Sequence, residues 1–229
     1  GTNRMDAPEA MASMPRNAGR HSAVDQAMHF ANYVLSGSED PELVLGAARL
    51  LARQWIAVED ADRLERLASL VVPKLAGASE QVSALLWYDD AARLREDFSG
   101  RRAALNRVVE RALALGEREA ASRAQETLES LLIAHERYAE VMALKWRRVE
   151  ADPDDESAVA DLLSFAERYE MFGDAERAYR RAISHFDRRT WSDKFARWLL
   201  RKKRRGAFES LVLATARELG AGELAEFLR

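Results

Sequence analysis

Apolar residues recur at intervals of three and four along most of this chain. The segments ELVLGAARLLARQW (42–55) and SALLWYDDAARLRED (83–97) both show the spacing, which places apolar side chains on one face of an α-helix. Alternation of β-branched and polar residues, the pattern of a half-buried strand, is almost missing. The sequence therefore predicts an all-α fold.

Short polar segments interrupt the helical pattern at close intervals. SGSEDPE (36–42), ADPDDES (151–157) and LGAGE (219–223) are examples, rich in residues that cap or end helices. They divide the chain into about twelve helices of roughly 12–18 residues, an ordinary length for packed helices. Residues 1–20 lack these signals, so we expect a flexible tail there.

The helical pattern also repeats. From Tyr138 to Phe172 the step is 34 residues, and from Phe172 to Phe208 it is 36. The apolar positions that align in the second helices are Tyr138, Val141, Met142 and Val149, then Phe172, Ala175, Tyr179, Ala182 and Ile183, then Phe208, Leu211, Val212, Thr215 and Leu219. The first helices align through Leu128 and Leu132, then Val159, Leu162, Leu163 and Ala166, then Phe195, Trp198 and Leu199.

This repeat resembles the tetratricopeptide repeat (TPR) family, whose unit is a helix-turn-helix of 34 residues. The segments ERAYRRAI (176–183) and ADPDD (151–155), and Gly206 ahead of Phe208, match the family pattern. The Trp, Leu and Gly of its first helix are mostly replaced, for example by Val159, so the repeats are degenerate. The resemblance implies a right-handed α-α superhelix of antiparallel helix pairs, with a concave groove formed mainly by the first helices.

This interpretation divides the chain into three parts. Residues 1–20 form the tail, 21–121 form degenerate TPR-like helix pairs, and 122–229 form three TPR-like repeats continuous with those pairs. The three repeats are expected at 122–155, 156–189 and 192–225. Within 21–121 we expect one pair at 41–75, with a longer internal turn, and one at 79–116. The expected core of the pair at 41–75 is Val44, Ala47, Ala48, Leu51, Leu64, Leu67, Ala68 and Val71.

Composition limits the classes of function. The chain has 35 basic and 38 acidic residues, a net charge of −3 and no cysteine, so there is no global attraction to nucleic acid and no thiolate chemistry. No apolar stretch is long enough to cross a membrane, and the N-terminus lacks a secretory signal. We expect a cytoplasmic protein without membrane insertion. Gly1 and Thr2 before the first methionine, Met5, suggest a remnant of expression, and we expect a piece of a longer protein.

No motif in the sequence indicates catalysis. HERYA (135–139) has Ala139 where a zinc protease helix needs its second histidine. The histidines His21, His29, His135 and His185 are scattered, and phosphate-binding glycine loops and nucleophile elbows are missing. The paired carboxylates Asp89-Asp90 and Asp154-Asp155 favour surface or capping roles. We expect no catalytic residue, no metal and no cofactor.

Large aromatic residues and one basic run are the remaining candidates for a binding surface. Trp198 falls on an apolar repeat position and is expected in the core, whereas Trp191 is a candidate surface anchor. We place the run from Arg201 to Arg205 in the last turn of a helix that Gly206 ends in a left-handed conformation. Basic pairs elsewhere in the C-terminal half are mixed with acidic residues, so nucleic acid is disfavoured as a partner.

The family resemblance implies which positions of each repeat face a ligand. They are Arg123, Glu126, Ser130, Ile133 and Ala134, then Ser157, Ala160, Ser164, Glu167 and Arg168, then Asp193, Ala196, Leu200, Lys203 and Arg204. From these we select as partner-binding residues Arg123, Glu126, Ser130, Ser164, Arg168, Lys203 and Arg204. The Lys/Asn/Arg set with which chaperone-binding members clamp a C-terminal carboxylate is not reproduced.

The sequence thus predicts a non-enzymatic TPR-like scaffold that binds another protein or peptide through a concave groove. The alternative is a regulatory or sensor domain that binds a small molecule or nucleic acid and controls a catalytic domain outside this chain. No sequence signal indicates an oligomeric state.

Overall fold

The computed structural model describes residues 18–217, with side chains from residue 25 onward. These residues form eleven α-helices and no strand, which confirms the all-α prediction. The helices are α1 (Ala18–Gly37), α2 (Pro41–Ala57), α3 (Ala61–Lys74), α4 (Glu80–Leu94), α5 (Phe98–Ala114), α6 (Arg118–Ala134), α7 (Tyr138–Ala151), α8 (Glu156–Arg168), α9 (Phe172–His185), α10 (Arg188–Arg201) and α11 (Arg205–Ala216). None of them is long and apolar enough to cross a membrane.

Two predictions concern chain ends that the structure describes only in part. Most of the predicted tail, residues 1–17, lies outside them, while residues 18–20 belong to α1. Residues 218–225 of the last predicted repeat, with Leu219, also lie outside. The helices form two compact units that divide between Leu131 and Leu132, near the end of α6. We call them unit 1 (residues up to Leu131) and unit 2 (residues from Leu132).

Aspartates begin five of the helices. The carboxylates of Asp40, Asp60, Asp97, Asp155 and Asp187 accept hydrogen bonds from backbone amides in the first turns of α2, α3, α5, α8 and α10. These amides have no partner within their helix, so a side-chain acceptor there stabilises the helix start. Pro41 occupies the first position of α2, where a missing amide proton costs nothing.

One three-residue turn joins successive helices at six places. Its middle residue has a positive φ, and these residues are Glu59, Glu96, Gly116, Glu136, Glu170 and Lys203. The third residue of each turn donates its amide proton to a carbonyl five residues earlier, as from Asp97 to Ala92 at 2.8 Å and from Met171 to Ala166 at 2.8 Å. This hydrogen bond is the mark of a Schellman helix end. The same turn closes α2, α4, α6, α8 and α10, the first helices of the pairs, and also α5.

The core of unit 1 confirms the predicted helical face. All eight residues predicted for the pair at 41–75 are buried, at 7% exposure or less. The expected longer turn in that pair is wrong, since residues 58–60 alone join α2 to α3 and the extra length lies in α2 itself. Gln81 donates to the carbonyl of Val72 at 2.9 Å and accepts from Arg111, so one buried amide group connects α3, α4 and α5.

The core of unit 2 is rich in aromatic rings. The rings of Tyr179 and Phe195 stack with centroids 5.0 Å apart, and Trp198 lies 5.5 Å from Tyr179 with no exposed surface. The nine positions predicted for the first helices of the three repeats are all buried, Leu128 in unit 1 and the other eight in unit 2. In α11 the predicted residues Phe208, Leu211 and Val212 are only half-buried.

Three predictions in unit 2 are wrong. Trp191 is not a surface anchor: it is 3% exposed and packs against Tyr179 and Phe186. Gly206 does not end a helix, because Lys203 has the left-handed conformation and Gly206 lies in the first turn of α11. The run from Arg201 to Arg205 is therefore not a last helical turn. It crosses the whole connection from the end of α10 to the start of α11.

The recurring turn predicts a reciprocal pair of substitutions in unit 1. Glu96→Gly should raise the free energy of unfolding by about 0.5–1 kcal/mol, because glycine adopts a positive φ without steric cost. Gly116→Glu should lower it by a similar amount, since the space around Gly116 is open and the cost is in the backbone alone. Urea unfolding of both variants measures this, and destabilisation by Glu96→Gly would contradict it.

Candidate functional site

The histidines and acidic pairs do not assemble a catalytic group within the described residues. His29 and His135 are exposed, and His185 Nδ1 lies 2.9 Å from Ser184 Oγ and 3.2 Å from the Arg181 carbonyl. The side chain of His21 lies outside the described part. Among the described side chains no cluster of three histidines or carboxylates could hold a metal ion.

The paired carboxylates have structural partners. Asp89 is 8% exposed and binds Arg101 at 2.8 Å, while Asp90 binds Arg93 at 2.8 Å. Asp155 caps α8, and hydrogen bonds from the Ser157 hydroxyl and from the amides of Ala158 and Ser157 hold its pKa below the usual range. The predicted capping role is confirmed for Asp155.

First helices form most of one concavity in each unit, which we call the unit 1 concavity and the unit 2 concavity. A third, of about 300 Å³ in unit 1, is lined by α3, α4 and α5. The unit 1 concavity has a volume of about 520 Å³ and is lined by residues on or just before α2, α4 and α6. The unit 2 concavity has a volume of about 610 Å³ and is lined by α8 and α10, one residue of α9 and the residue that follows α10. The lining residues of the unit 2 concavity are Ala160, Leu163, Ser164, Glu167, Arg168, Tyr179, Trp191, Lys194 and Lys202.

Tyr179 connects the aromatic core of unit 2 to this surface. Its ring is buried in the core, and its hydroxyl donates a hydrogen bond to Glu167 Oε1 at 3.2 Å. Burial raises the pKa of the Tyr179 hydroxyl, and the negative charge of Glu167 raises it further. The hydroxyl therefore stays protonated and holds the Glu167 carboxylate in place.

The cations of the unit 2 concavity lie against aromatic rings. Lys194 Nζ is 4.0 Å from the centroid of the Trp191 ring, and Lys202 Nζ is 5.0 Å from that of Phe172. The Arg168 guanidinium lies 5.8 Å from the centroid of Tyr169. The negative face of an aromatic ring attracts a cation without neutralising its charge. These three charges are thus positioned and still able to attract an anion.

The structure distributes the sequence-predicted binding residues over both units. Arg123 lines the unit 1 concavity, and Glu126 and Ser130 are exposed on the same helix, where Ser130 donates to the Glu126 carbonyl. In unit 2, Ser164 and Arg168 share the concavity.

The two predicted cations at the end of α10 lie elsewhere. Lys203 forms the left-handed turn, and Arg204 Nη2 binds Glu176 at 2.6 Å. Neither lines the concavity, whereas the preceding residue, Lys202, does.

Sequence reasoning missed Lys194, Lys202 and Tyr179 as surface residues. Tyr179 was assigned to the core alone, because a repeat position predicts ring burial but not the direction of the hydroxyl. The repeat phase misses Lys202 because it places Lys203 and Arg204 at the ligand-facing positions. A signal existed: Glu170 and Lys203 are 33 residues apart, close to the repeat period, so the turn after α8 predicts the position of the turn after α10.

No known family model and no curated protein matches the sequence. The assignment to the TPR family stays a prediction from the repeat.

The raised pKa of Tyr179 predicts a pH effect on stability. The unfolded chain loses this proton above pH ~10 while the folded chain keeps it, so unfolding becomes easier as pH rises. Tyr179→Phe should reduce this loss, by less than the ~1.4 kcal/mol per pH unit that a single proton allows. Urea unfolding at a series of alkaline pH values measures the slope.

Tyr33→Phe is the matched control, because Tyr33 is 74% exposed. It should keep the wild-type slope. If Tyr179→Phe also keeps it, the assigned environment of the hydroxyl is wrong.

Proposed function

We propose that this chain is a TPR-like scaffold, a right-handed superhelix of helix pairs, that binds a segment of another protein on the concave side of its first helices. The observation that carries the proposal is the origin of the two concavities. All eleven residues that line the unit 1 concavity lie on α2, α4 or α6 or immediately before one of these helices. First helices also supply all but two residues of the unit 2 concavity, the exceptions being Tyr179 and the turn residue Lys202.

The first helices of unit 2 combine buried and exposed residues, which supports this function. α8 buries Leu162 and α10 buries Trp198, while Ala160 and Ser164 of α8 and Lys194 of α10 are exposed. Stacked pairs need only part of the first helix for their own packing. The remaining face is available for a partner, and helical repeats present such faces as extended binding surfaces.

The chemistry of the exposed face suits a peptide or a helix of a partner. Ala160 and Ser164 are exposed on adjacent turns of α8 and leave room for a main chain to approach closely. Charged side chains surround them, and the buried Leu163 and Trp191 form an apolar base. A polar rim around a small apolar centre is the usual composition of a reversible protein interface.

Filling the unit 2 concavity should abolish partner binding. We expect Ser164→Trp to remove the proteins that the immobilised wild-type chain retains from an extract of its native host, because the indole occupies the space of the partner's main chain. Quantitative mass spectrometry of the retained proteins measures the effect.

Ser184→Trp is the matched control, with the same substitution at an exposed residue of α9 that does not line the concavity. It should retain the same proteins as the wild type. Equal retention by both variants, with both folded by circular dichroism, would refute binding at this surface.

A further inference from the structure

The charge of the unit 2 concavity is opposite to that of the chain. Three cations, Arg168, Lys194 and Lys202, and one carboxylate, Glu167, line it, while the chain as a whole carries −3. A positive surface on a negatively charged chain attracts an acidic partner, while the rest of the chain repels that partner.

The one carboxylate in the lining is already engaged. Glu167 accepts the hydrogen bond of the Tyr179 hydroxyl at 3.2 Å, and Arg201 Nη2 lies 3.9 Å from its other oxygen. Its charge is therefore partly balanced from within unit 2. Among the described residues, Arg168 and Lys202 have no carboxylate within ion-pairing distance, and Lys194 has only the exposed Glu156 at 3.6 Å.

The two lysines have a spacing that an extended peptide can match. Lys194 lies on α10 and Lys202 follows its last residue, so eight residues separate them, which is about 12 Å along a helix axis. Carboxylates four residues apart in an extended chain are separated by about 13 Å. The small residues Ala160 and Ser164 lie on the same surface.

The unit 1 concavity has the opposite charge balance. Its lining contains the carboxylates of Glu42, Glu80 and Glu117 against the cations Arg49 and Arg123. An acidic ligand is therefore expected to discriminate between the two surfaces, and the unit 1 concavity acts as an internal control.

We infer that the unit 2 concavity binds an acidic segment of the partner protein, in which Lys194 and Lys202 each bind a carboxylate. The inference rests on the proposed function, since it names the chemistry of the ligand at the same surface. The aromatic rings beneath the two ammonium groups restrict their positions, which reduces the entropy that the lysines lose on binding.

Fluorescence anisotropy with a labelled peptide of alternating glutamate and alanine, at low salt, tests the inference. The wild-type chain should bind this peptide and not the matched peptide of alternating glutamine and alanine. Lys194→Gln combined with Lys202→Gln should weaken binding about tenfold, as expected for the loss of two exposed ion pairs. All of these substitutions are at surface positions, and circular dichroism checks that each variant is folded.

Lys203→Gln is the matched control, because Lys203 is an exposed lysine beside Lys202 that does not line the concavity. Paired with Arg66→Gln on α3, an exposed residue that lines neither of the two concavities, it removes the same total charge, and binding should change less than twofold. An equal loss in both double variants would show diffuse attraction and overturn the inference.

Two other results would also overturn it. One is that the wild-type chain does not bind the glutamate peptide; if Ser164→Trp still abolishes partner retention, the proposed function stands and only the acidic ligand is wrong. The other is that a labelled single-stranded oligonucleotide binds more tightly than the peptide and is released by the same two lysine substitutions. That result would assign the surface to nucleic acid.

Discussion

The hydrogen bond that closes each three-residue turn is the constraint on which the rest of this structure depends. It reaches back across the helix end from the third turn residue and requires a left-handed residue in the middle. Consecutive helices joined by such a turn within one unit pack against each other, as α2 does with α3, α4 with α5 and α8 with α9. Glu or Lys occupies five of the six left-handed positions, and each costs roughly 1 kcal/mol of backbone strain relative to glycine. The turn therefore forms even where the residue is unfavourable for its conformation.

The packing of these pairs explains where function can reside. In unit 2, Tyr179 belongs to both the core and the surface: its ring packs among Phe195 and Trp198 while its hydroxyl holds Glu167. The core thereby fixes the charge pattern of the concavity. The unit 1 concavity, which first helices also line, has a different charge balance. The two proposed binding surfaces therefore differ in charge, and most of that difference comes from side chains on the first helices.

The core was predictable from the sequence and the surface was not. The spacing of Val44, Leu51 and Leu64 identifies buried faces because helix periodicity and burial are directly linked. Glu, in contrast, has no special preference for a left-handed turn, so Gly206 was a better sequence signal than Lys203 and the register at the end of α10 was misjudged. The predicted exposure of Trp191 is wrong because two rings bury it, Tyr179 of α9 and Phe186 just after α9. Contacts between distant residues fix the candidate site, and a repeat phase does not specify them.

Hydrogen exchange at the third residue of each turn tests the role of the turn most directly. The amide protons of Asp60, Asp97, Glu117, Arg137, Met171 and Arg204 donate the closing hydrogen bonds. If these bonds constrain the helix pairs, their protection should match that of the most protected helical amides in the same unit, because they open only when the pair separates. Exchange at the rate of an unstructured peptide, with the neighbouring helices still protected, would show that packing alone holds the pairs together and would contradict the account.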